Sequence, residues 1–155
     1  MENRKIIIIL TVILVVLAAA VAMLFINNNN QPVIYNNTIP GVGTFNSTNV
    51  TNFTYSDSSN DIQTDYVAND SIAQVTVCTS SLAVEITISE ADRVNDSAKG
   101  HTIYKNTANI GEHKGEVRYF SILKDQDNQR YIMISTADYN LTCMIVDSFK
   151  FLDPV

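Results

Sequence analysis

The chain has 155 residues, a formal net charge of −6, two cysteines and no tryptophan. That length holds about one domain, which excludes a multidomain machine. Without a basic excess there is no electrostatic footprint for neutralising phosphates, so nucleic acid is not an expected partner.

A mean hydropathy of +0.05 averages an extremely apolar N-terminus with a polar, acidic remainder. Residues 6–26 read IIIILTVILVVLAAAVAMLFI, uncharged and interrupted only by Thr11. At about 1.5 Å per residue a helix of this run reaches roughly 31 Å, the thickness of a bilayer core. The apolar stretch is longer than a cleaved secretory signal requires. The expectation is a single-pass transmembrane anchor over 1–27, in contact with the lipid bilayer through residues 6–26. Arg4 and Lys5 precede the run and no charge follows it closely. The positive-inside rule then puts the N-terminus in the cytoplasm and the rest of the chain outside, at the cell membrane.

Residues 28–48 are dominated by Asn, Ser and Thr and punctuated by Pro32, Pro40, Gly41 and Gly43, which is linker chemistry. They are expected to form a stalk. The Asn-x-Ser/Thr pattern occurs at Asn36, Asn46, Asn49, Asn52, Asn69, Asn95 and Asn140. In a segment outside the cytoplasm these are candidate glycosylation acceptors. Asn49 to Tyr55 also alternates in strand fashion, leaving open whether it belongs to stalk or sheet.

Residues 49–155 are expected to fold as one extracytoplasmic α+β domain. Ala73, Val75 and Val77 alternate with polar neighbours, and Leu82, Val84, Ile86 and Ile88 do so again. The spacing predicts two strands joined by a hairpin at Thr79-Ser80-Ser81. Ser89 to Asp92 has the form of a helix cap, with Gly100 placed to end a short helix. Strands are predicted at His101–Lys105, Val117–Leu123 and Tyr131–Thr136. Leu141, Ile145, Phe149 and Leu152 then recur at helical spacing, predicting an amphipathic helix over Asn140–Leu152. The fold class is thus α+β: an N-terminal transmembrane helix, then a small, mostly antiparallel sheet covered by a C-terminal helix.

Anchor and Asn-rich stalk, followed by HTIYKNTANIGEHKGEVRYFSILKDQDNQRYIMIS and the closing MIVDSFKFLDP, resemble short membrane-anchored surface proteins of methanogenic archaea. The resemblance covers most of the chain and implies no particular activity. From Leu82 to Leu152 the layout is similar to PsbP-like domains, a sheet closed by a helix ending here in Ser148-Phe149-Lys150-Phe151. No binding residue is carried over from either.

Candidate chemistry is sparse. Cys78 and Cys143 could pair in an oxidising compartment, but Cys78 falls on the polar side of its strand and Cys143 on the outer side of its helix. His101 and His113 lack the paired spacing of zinc ligands. The segment from Asp125 to Gln129 opens like a calcium loop, yet Arg130 stands where glycine belongs and Thr136 where a bidentate Glu is required. Gly41-Val42-Gly43 has no following Lys and helix to cradle phosphate. Glu112 and Glu116 suit a solvated turn better than a glycosidase pair. A Cys143 nucleophile would need an imidazole within reach. No cofactor, metal or enzymatic activity is therefore expected. The expected function is a small binding or envelope-structural domain whose partner is an envelope polymer or a membrane protein. The alternative is an accessory or sensor subunit docking on a membrane complex.

Overall fold

The computed structural model describes residues 12–23, 32–57, 59–68, 72–108 and 114–155. The chain divides into two units, Met1–Val33 and Ile34–Val155.

In the first unit, helix α1 covers residues 12–23, every one of them exposed. The predicted transmembrane helix is corrected here. Among the described residues no helix is long and apolar enough to cross a membrane. At about 1.5 Å per residue, α1 extends about 18 Å against a hydrocarbon core of about 30 Å. The remainder of the 6–26 run lies outside the described residues.

The second unit is α+β, and its described residues form ten strands in two antiparallel sheets. Strands β1 (Ile34–Ile39), β2 (Gly43–Thr48) and β10 (Lys150–Phe151) form the smaller sheet, in the order β1-β2-β10. The larger is built from β3 (Thr54–Tyr55), β4 (Gln63–Val67), β5 (Ala73–Cys78), β6 (Asp92–Asp96), β7 (Thr102–Thr107), β8 (Val117–Asp125) and β9 (Arg130–Thr136). Its order is β3-β4-β5-β9-β8-β7-β6. Helices α2 (Ser81–Ser89) and α3 (Tyr139–Ser148) complete the unit.

Residues 34–48, taken from composition as stalk, are thus a hairpin. Phe45 is the reason. It is buried, stacks on Phe149 at 5.8 Å and meets Phe53 edge-on at 5.1 Å. Ile39, Val42 and Val50 join it in the core. The polar residues between them find internal partners: Asn37 Nδ2 donates to Ser47 Oγ at 2.8 Å, and Ser47 Oγ donates to Val50 O. Satisfied in this way, buried Asn and Ser cost little.

Strand β5 follows its alternation, and β8 and β9 form at the segments rich in Ile, Val, Tyr and Phe. Val75 pairs with Ile134 and Val77 with Ile132, while Leu123 faces Ile132 from the other side. These side chains share one face of the sheet, covered by α3 and the smaller sheet. Asp138 caps α3, its Oδ1 accepting from Leu141 N–H at 2.7 Å. The predicted helix ends at Ser148 rather than Leu152, because Lys150 and Phe151 pair with β2.

Two local readings are reversed. Leu82–Ile88 is the helix α2 and not a strand, capped by Ser80, whose Oγ accepts from Ala83 N–H at 3.3 Å. The expected helix after Ser89 is instead strand β6, paired with β7. Of the ambiguous segment 49–55, only Thr54 and Tyr55 pair as strand.

Candidate functional site

Alternation in the sheet gives it a second face. Thr76 and Cys78 from β5, Tyr131 and Met133 from β9, and Ile122 and Lys124 from β8 point opposite to Val75 and Ile132. Helix α2 packs on this face, with Ala83, Val84 and Thr87 over a small cavity of about 40 Å³ that Cys78, Ile122, Tyr131 and Met133 help to line. No α2 side chain is fully buried. Leu82 and Ile86 turn outward, 64% and 50% exposed.

Two clefts border α2, one at its N-terminal end and one along Val84 and Ile88. One, of about 510 Å³, is lined by Thr79, Ser81, Lys124, Gln126, Gln129 and Tyr131. The other, of about 350 Å³, includes Ile88, His101, Thr102, Tyr104, Lys124 and Tyr131. Lys124 and Tyr131 are cross-strand partners and border both. Tyr104 is held by stacking on Phe120 at 5.4 Å. Lys124 makes no ion pair among the described residues. Aromatic faces, amides and a cation at a concave surface suit recognition of a polar ligand.

Charge is unevenly divided along the chain. No Lys or Arg occurs between residues 27 and 92. Arg93, Lys99, Lys105, Lys114, Arg118 and Lys124 then stand against only Asp96, Glu112 and Glu116 up to residue 124. Within the strands the balance is closer: β6, β7 and β8 carry Arg93, Lys105, Arg118 and Lys124 against Asp92, Asp96 and Asp125, and β3, β4 and β5 carry only the buried Asp65.

The sites singled out in the sequence are scattered. Cys78 and Cys143 are free thiols. Cys78 is buried beside the small cavity, donating to Ser80 O at 3.5 Å, whereas Cys143 lies on α3 against the core. Burial pushes the Cys143 thiol up, Asp147 and Asp138 push the same way, and a hydrogen bond with Tyr139 offsets part of the rise. A nucleophile is activated by the opposite shift. His101 borders a cleft beside α2; His113 and Glu112 lie outside the described residues. Among the described residues no group of three or more His, Cys, Asp or Glu could hold a metal. Asp125, the first residue of the calcium-like segment, is occupied by Asn128 and Arg130.

The sequons differ in context. Asn36 and Asn46 are exposed and directly opposite one another on β1 and β2. Asn49 and Asn52 are exposed with φ of 59° and 57°, a left-handed conformation that Asn tolerates better than most residues. Asn95 and Asn140 are exposed as well, but their hydroxyl residues are not. Ser97 donates to Asp147, and Thr142 is fully buried against Thr136 at 2.9 Å. Asn69 lies outside the described residues.

The clefts beside α2 were missed because they depend on Leu82–Ile88 being helical; the only signal in the sequence was Ser80 three residues before Ala83. No protein-family model, curated protein or solved structure matches the chain.

Proposed function

We propose that the chain is a non-catalytic binding domain that works outside the cytoplasm and engages an envelope polymer through the clefts flanking α2. The observation that carries this reading is the convergence of both clefts on Lys124 and Tyr131. Cross-strand placement fixes the two side chains relative to one another, and Gln126, Gln129, Thr102 and Tyr104 supply further polar and aromatic contacts. Exposed sequons at Asn36, Asn46 and Asn52 support a position outside the cytoplasm. Helix α1 has apolar side chains on all sides and no buried residue, which favours contact with lipid as a second partner.

Co-sedimentation of the full chain with isolated envelope polymer tests the reading. The unsubstituted chain pellets with the polymer, and the double variant Lys124→Glu, Tyr131→Ala loses about tenfold or more in affinity, as expected for central contact residues. Equal pelleting of both, with unchanged circular dichroism, refutes the assignment of the clefts.

The accessory-subunit reading is favoured by one observation, the exposure of Leu82 and Ile86 one turn apart on the outer side of α2. Crosslinking in native membranes separates the two. A single stoichiometric protein partner, lost on Leu82→Glu, supports docking; crosslinks to polymer support the first reading.

A further inference from the structure

We propose that β1 is a pairing edge for a second copy of this chain, through an antiparallel β1–β1 contact centred on Asn36. Backbone groups alternate in direction along an antiparallel strand. Leu152 N–H donates to Val42 O at 3.1 Å, and Asn46 N–H to Ser148 Oγ at 2.8 Å, so the even-numbered residues of β2 face β10. The odd-numbered residues Gly43, Phe45 and Ser47 therefore face β1, opposite Ile39, Asn37 and Tyr35. Ile34, Asn36 and Thr38 are left with N–H and C=O directed away from the sheet. Among the described residues no strand lies on that side.

The other edges are protected. At one end of the large sheet β6 presents Asp92, Arg93 and Asp96, at the other β3 is two residues long, and β10 at the far edge of the smaller sheet is two residues long and carries Lys150. By contrast β1 runs for six residues, IYNNTI, with no charge and no proline. Charged, short or proline-bearing edges are how sheets avoid joining one another, and β1 uses none of these devices.

Electrostatics selects the occupant. Two chains of net charge −6 repel over most of their surfaces, but residues 27–56 carry no charge at all and Lys150 is the one charged residue in the smaller sheet. This is where two copies approach without like-charge repulsion. A twofold contact must also be self-complementary. With Asn36 opposite Asn36 and Ile34 opposite Thr38, every outward N–H and C=O of those three residues is paired, and the smaller sheets of two copies merge into one. The contact is independent of the clefts beside α2.

Cysteine placement reads the register directly. In a hydrogen-bonded antiparallel pair the Cα atoms are about 5.5 Å apart, within disulfide range, whereas four residues along the strand amount to about 14 Å. The full chain in detergent micelles, produced in a host without N-glycosylation, is substituted Asn36→Cys or Ile34→Cys and oxidised with copper phenanthroline. Both positions are exposed, and circular dichroism confirms the fold. A covalent dimer is expected for Asn36→Cys, with none beyond that of the unsubstituted chain for Ile34→Cys. No dimer at residue 36, or equal dimer at both, overturns the proposal. Sedimentation equilibrium gives a second readout. Asn36→Pro removes an outward N–H without touching the ladder to β2 and shifts the chain to monomer; identical behaviour of the two proteins overturns it as well.

Discussion

Asp125 and Arg130 face each other across the turn between β8 and β9, Oδ2 to Nε at 2.8 Å, and both side chains are almost completely buried. Arg130 then spends its other nitrogens on distant carbonyls. Nη1 donates to Gly41 O in the β1–β2 turn and Nη2 to Leu152 O after β10. One guanidinium thus ties a hairpin of the large sheet to both outer parts of the small one. The planar fork of arginine makes this possible; an ammonium group has no such geometry.

Replacing Arg130 by methionine should therefore destabilise the domain by about 3–5 kcal/mol, because Asp125 is left buried without its cation and two carbonyls lose their donor. Urea denaturation measures it. Arg130→Lys is expected to recover only part of the loss, and full recovery would show that charge alone suffices.

Acid should act through the same pair. Burial alone would raise the Asp125 carboxyl, but hydrogen bonds from Asn128 and Arg130 outweigh it and hold the group below its ordinary value. With the folded value lower than the unfolded one, the stabilisation is complete above the ordinary carboxylate range, about pH 4. It is lost as pH falls through the lower folded value. Melting curves between pH 6 and pH 2 should show a steeper acid decline for the unsubstituted chain than for Asp125→Asn.

Gly43 lies against the ring of Phe149. A Cβ placed there would overlap Phe149 Cζ and come within 2.8 Å of Lys150 O. The aromatic ring could rotate away only by abandoning its stack on Phe45. Gly43→Val should accordingly cost about 1–3 kcal/mol or more through overpacking, read as a lower denaturation midpoint. Gly100→Ala is the contrast: its Cβ would meet nothing within 4 Å, although its φ of 84° still imposes backbone strain.

Glycan acceptors sort by the burial of the hydroxyl residue. In a glycosylating host, a mass shift removed by deglycosylation is expected to shrink when Asn36, Asn46, Asn49 and Asn52 are all changed to Gln. It should persist in Asn140→Gln, because Thr142 is buried and donates to Asp138 O at 3.0 Å. Modification at Asn140 in the folded protein would contradict this.

Several elements were legible from the chain alone. Strand β5 and helix α3 carry clean periodicities and burial follows them, while β8 and β9 were legible from their content of β-branched and aromatic residues. Leu82–Ile88 was not legible, since SLAVEITIS is apolar on both the strand and the helix reading. The Ser80 cap and a sheet face in need of cover settled it as helix. Nor could composition foresee that an Asn- and Thr-rich stretch forms β1 and β2. Phe45 is buried in part because Phe149, about a hundred residues later, returns to stack on it. Local pattern sets what a segment can become, but the energy that decides among the possibilities comes from partners brought together by the whole fold.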